Sequence, residues 1–70
     1  MTNGPELLKA IKEAGVSIVF LAKKIGCSRN RIYAIINGAD CTATEIAGLS
    51  EALHLTKERR DYIFLERKVN

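Results

Sequence analysis

Apolar residues recur along this chain at helical spacing, and the breaks between repeats fall at residues that cap or stop helices. Leu7, Leu8, Ile11 and Ala14 stand at i, i+1, i+4 and i+7 and predict a helix over 5–14. Pro5 suits its first turn, where a missing N–H has no partner to lose, Asn3 can cap it, and Gly15 ends it. Ile18, Leu21, Ala22 and Ile25 predict a second helix over 18–25, widened by Val19 and Phe20, with Ser17 as cap and Gly26 as stop. A strand reading of "VSIVF" is open by propensity, but the helical spacing continues through "LAKKIG" and favours the helix.

Ser28 then caps a third helix, 29–36, in which Ile32, Ile35 and Ile36 mark the inward face before an Asn37-Gly38 stop. Only Gly26, Cys27 and Ser28 separate the second and third helices, so their axes must turn sharply while both stripes face one core. "TATE", 42–45, is a capping box that opens a fourth helix, 43–53, with Ile46, Leu49 and Leu53 inward. Thr56 opens a fifth, about 57–67, with Arg67 and Lys68 complementing its C-terminal dipole. The expectation is an all-α domain of five short helices, its core about 5–65, with no strand or internal repeat.

Length limits what such a domain can do. Seventy residues, 47% hydrophobic and 27% charged, give one small globule that buries only about 60% of its unfolded surface, which leaves little room for an enzyme cleft. Cys27 and Cys41 have no metal-ligand spacing and no nearby base, so both read as reduced thiols. His54, the single histidine, lies at a helix end and reads as part of a cap. With no carboxylate pair, catalytic cluster or phosphate loop, neither an enzyme nor a bound cofactor is expected. No basic-then-apolar leader opens the chain, and the longest apolar run is far below the roughly 18 residues that span a bilayer, so a cytoplasmic protein without membrane contact is expected.

The net charge of +3 is modest, but its distribution is uneven. Lys23, Lys24, Arg29 and Arg31 stand between Glu13 and Asp40 with no acid among them. On a wheel of 100° per residue, the inward isoleucines of the third helix leave Asn30, Ala34 and Asn37 outward, Tyr33 beside them, and Arg29 and Arg31 flanking. Arg can donate two parallel hydrogen bonds to guanine and Asn can pair two-fold with adenine, so this face carries the chemistry that reads base edges in a major groove.

"FLAKKIGCSRNRIYAIING" resembles the helix-turn-helix of lambda-repressor-like and Cro-like regulators, especially the short phage-type ones. It has a small Ala22 where the helices cross, Gly26 in the turn, Ile32 and Ile35 as anchors, and the Asn37-Gly38 ending. The resemblance implies a Cro-like or repressor-like transcriptional regulator that binds a pseudo-palindromic double-stranded operator as a homodimer, in the cytoplasm and nucleoid of a bacterium or phage-infected host. It places base contacts on Ser28, Arg29, Asn30, Tyr33 and Ala34, the last able to meet a thymine methyl. Asn37 matches a phosphate-contacting position. Many members have a phosphate-bracing Gln at the start of the second helix, where this chain has Ile18. The phosphate contacts then fall to Ser17, Lys23, Lys24, Arg31 and Asn37. Tyr62, Ile63 and Phe64 are consecutive, and one helical face cannot bury all three, so some of this surplus is expected to be exposed and to meet a second copy, the alternative being a fifth helix that closes its own domain. A different class of function, a protein-interaction module or antirepressor on the same scaffold, is favoured slightly by Ile18 and the modest charge.

Overall fold

A computed structural model describes residues 1–65. Five α-helices follow one another, α1 (Gly4–Ala14), α2 (Ile18–Ile25), α3 (Arg29–Ile36), α4 (Ala43–Ala52) and α5 (Lys57–Arg60), and α5 runs on into a π-helical segment, Asp61–Leu65. No strand occurs among the described residues. The second and third helices have the bounds that their caps predict. Ser17 Oγ accepts the Phe20 N–H at 3.0 Å and Ser28 Oγ accepts the Arg31 N–H at 3.1 Å. Each bond satisfies one of the donors that a helix start leaves without an internal partner.

The core is Leu7, Ala10 and Ile11 from α1, Leu21 and Ala22 from α2, Ile32 and Ile35 from α3, Leu49 and Leu53 from and after α4, and Ile63 and Phe64. α2 packs on both α3 and α4, while α1 packs on α3 and on the π-helical segment. Ala22 is buried in α2, and Gly48 lets α4 approach α2 closely. A Cβ on Gly48 would lie 2.6 Å from Ile25 Cγ2. At the opposite edge, a Cβ on Gly4 would fall 1.8 Å from the Ile36 carbonyl oxygen, so the start of α1 rests directly on the end of α3. Thr2 fastens that junction: it is buried, and its hydroxyl donates to the Ala39 carbonyl at 2.6 Å.

Some faces differ from the sequence reading. In α1 the inward stripe is Leu7, Ala10 and Ile11, whereas Leu8 sits 100° from Leu7 and is exposed, as is Ala14 in the final turn. Val19 and Phe20 do not widen the buried face of α2 but stand out from it, at 43% and 47% exposure. The fifth helix is not one α-helix. The i→i+5 turn of a π-helix is wider and its angular step smaller, so adjacent residues lie closer to one face. Ile63 and Phe64 both enter the chain's own core, at 1% and 8% exposure, as the adjacent pairs Ala10–Ile11 and Leu21–Ala22 do, and of the three proposed dimer contacts only Tyr62 stays outside. Arg67 and Lys68 lie outside the described residues.

Candidate nucleic-acid interface

The α2–α3 turn is made by Gly26 at φ 74°, a left-handed conformation that costs a residue with a Cβ about 1–2 kcal/mol. From there the Cys27 N–H reaches back to the Ala22 carbonyl at 2.9 Å, and Ser28 at φ −83°, ψ 160° starts α3. Ile32 and Ile35 are fully buried, which fixes the rotation of α3 about its axis. With that rotation set, Ser28, Arg29, Asn30, Tyr33 and Asn37 are all exposed and Ala34 is half-buried. Tyr33 is 51% accessible, so its phenol is on the outer face. Most of the residues expected to read bases thus share one accessible side of one helix. Two of them also serve locally: Ser28 caps α3, and the Asn37 N–H bonds the Tyr33 carbonyl at 2.9 Å to close its last turn.

The four basic residues of the acid-free stretch separate once folded. Arg29 and Lys23 are exposed and have no carboxylate partner among the described residues. Lys24 lies 3.8 Å from Glu51 of α4 through an exposed pair, the kind that contributes about 0–1 kcal/mol, so its ammonium remains available to other anions. Lys23 and Lys24 also occupy the last turn of α2, where cations offset the helix dipole. Ser17, exposed at the other end of α2, uses its oxygen as an acceptor for the cap and keeps its O–H to donate.

Arg31 has a different environment from the phosphate contact expected of it. It lies on the flank of α3 opposite Tyr33 and turns toward α4. Its Nε donates to Glu45 Oε2 at 2.8 Å, its Nη2 to Glu45 Oε1 at 2.9 Å, and Nη2 also to the Asp40 carbonyl at 2.7 Å. Glu45 is the same residue that closes the capping box of α4, accepting the Thr42 N–H at 2.9 Å while its own N–H donates to Thr42 Oγ1 at 3.1 Å. The Arg31 hydrogen bonds, followed by that from the Thr42 backbone, hold the Glu45 carboxyl down at about 2. Arg31 itself is pushed up, chiefly by the bond to Glu45. Sequence reading identified Glu45 as a capping residue only. Its second partner is 14 residues away, and no local pattern signals that pairing.

The remaining candidates are quiet. Burial pushes both thiols up, Cys27 and Cys41 alike, so neither is an activated nucleophile. No group of three or more His, Cys, Asp or Glu residues that could hold a metal occurs among the described residues. His54 follows the end of α4 at φ 53°, and its N–H bonds the Glu51 carbonyl at 3.3 Å, which places its backbone in the terminal turn. No described helix is long and apolar enough to cross a membrane.

A family model described as helix-turn-helix matches residues 7–59, from the first buried leucine of α1 into α5 and across the whole α2–turn–α3 unit. No curated protein and no solved structure matches the chain. A right-sized turn at Gly26, two short helices locked by Leu21, Ala22, Ile32 and Ile35, and a polar outer face on the second of them meet the requirements of that family. The chain belongs to the Cro- and repressor-type helix-turn-helix family of DNA-binding transcription regulators.

Proposed function

We propose that this protein recognises a specific double-stranded operator by laying α3 in the major groove, in the manner of a Cro-like or repressor-like regulator. The observation that carries the reading is the shared exposure of Arg29, Asn30 and Tyr33 on the side of α3 opposite the buried Ile32 and Ile35. In it Ser28, Arg29, Asn30 and Tyr33 meet base edges, and Ala34 offers a methyl to thymine. Lys23, Lys24, Ser17 and Asn37 meet phosphates and set the docking register without carrying sequence information. Two copies bind half-sites about one helical turn, ~34 Å, apart. Tyr62, at 44% exposure, is the remaining side chain of the proposed contact between copies.

A second reading has a specific observation behind it. Ile18 and the exposed Val19 and Phe20 put apolar surface at the start of α2, where a phosphate-bracing side chain would serve a DNA binder. On that reading the scaffold docks another protein and has no DNA affinity. Titration of the full chain against a selected duplex and random duplexes, at several salt concentrations, separates the two. For the DNA reading, Arg29→Ala relaxes preference at one base position and costs about 1–3 kcal/mol. Lys23→Ala weakens all sequences alike and flattens the salt dependence by about one unit of slope. Equal, weak affinity for every duplex contradicts the proposal, as does identical behaviour of the two variants.

A further inference from the structure

Arg31 stands in the first turn of the helix assigned to DNA, yet its fork faces inward along the surface, onto α4. The Glu45 side chain is only 15% exposed, and it receives both Arg31 bonds together with the Thr42 N–H. The same guanidinium also reaches the Asp40 carbonyl. Three pieces of backbone therefore meet at one carboxylate: the start of α3, the loop over 40–42, and the first turn of α4. The main packing of α3 is on α2 and α1, through its buried side. Among the described residues, the other side-chain bond at this end of α3 is the Ser28 cap on the Arg31 N–H, which ties the turn to its own helix and not to α4.

From this geometry we infer that Arg31 is a positioning residue and not a DNA contact: through Glu45 it braces the N-terminal turn of α3 against α4, and so fixes the angle at which Arg29 and Asn30 are presented. The two parallel bonds need a planar fork, which Lys, as a point charge on a flexible stem, cannot reproduce. A bidentate base contact tolerates little angular error, so slack in this brace costs discrimination between sequences more than general attraction to DNA. The inference deepens the DNA-binding reading and rests on it for its consequence, though the brace itself can be tested without DNA.

The discriminating variant is Glu45→Gln, because it makes the protein more positive. If Arg31 were a phosphate contact, freeing it from a carboxylate would leave affinity unchanged or improve it. The brace predicts the opposite. Arg31→Ala, Arg31→Lys and Glu45→Gln each weaken the selected duplex roughly two- to tenfold, the lower part of the range for coupled neighbours, with little change on random duplex. Arg31→Ala combined with Glu45→Gln is no worse than either alone, and Glu45→Gln retains the wild-type salt slope. In the DNA-free full chain, amide hydrogen exchange at 29–31 and 40–45 accelerates alike in Arg31→Ala and Glu45→Gln, while 7–11 stays protected and shows that the domain is folded. A loss of about one unit of salt slope in Arg31→Ala with none of the affinity loss in Glu45→Gln overturns the inference, as does wild-type exchange in both variants. If wild type prefers no duplex, the DNA reading falls by itself, and the exchange data still decide whether the brace exists.

Discussion

Two single residues carry consequences that can be measured directly. His54 sits at φ 53° after α4, where an L-residue is strained and glycine is not. His54→Gly relieves that strain but gives the unfolded chain more freedom, and the balance favours the folded state by about 0.5 kcal/mol. A small rise in the urea midpoint at unchanged slope is expected, and a fall would mean that the imidazole makes a stabilising contact. Glu45 has the larger effect on acid behaviour. Its carboxyl titrates at about 2 in the fold against 4.5 ordinarily, held there first by Arg31 and then by the Thr42 N–H. A carboxyl with a depressed value contributes stability that is complete above pH 4.5 and drains away as the pH falls toward 2. The thiols of Cys27 and Cys41 beside it stay neutral through that window. Urea midpoints measured stepwise from pH 6 down should therefore drop more steeply for the wild-type chain than for Glu45→Gln, and parallel curves would show that the ion pair adds nothing.

At the level of elements, the end of α3 is set by α1. A Cβ at Gly4 would stand 1.8 Å from the Ile36 carbonyl oxygen, and that oxygen is backbone and cannot rotate away. Helix propensity alone would make Gly4→Ala favourable by up to about 1 kcal/mol. The contact reverses the sign, and a loss of about 3 kcal/mol is expected in chemical denaturation. A neutral or stabilising result would show that α1 does not rest on α3. This contact was not legible in the sequence, because it joins backbone of two helices far apart along the chain. The bounds of α2 and α3 were legible because Ser17, Gly26 and Ser28 act locally, each through a bond to a residue within four positions. The fifth helix was legible only at its start. Thr56 caps it locally, accepting the Arg59 N–H at 3.1 Å, but neither the π-helical turns over Asp61–Leu65 nor the burial of Ile63 and Phe64 in the chain's own core has a local signal. The charge of the 23–31 stretch was legible as composition and not as availability, since the acids that engage Lys24 and Arg31 come from α4.

Across the whole molecule, the core sets the rotation of α3 and leaves one helix face for recognition. α1 and α2 pack on the inner side of α3, and the exposed Arg29, Asn30, Tyr33 and Asn37 are what remains. The wheel drawn from Ile32, Ile35 and Ile36 places these residues because a short helix with a full apolar stripe has only one way to face its core. What the wheel cannot supply is the operator, which depends on how two copies are spaced and how their side chains meet the groove. Selection of bound duplexes from a random pool by the full-length chain, followed by sequencing, tests the central claim most directly. The account predicts enrichment of a two-fold symmetric motif whose half-sites are about 10 base pairs apart, and loss of preference at one position in each half-site with Arg29→Ala. A pool that stays random after repeated rounds at moderate salt would contradict it.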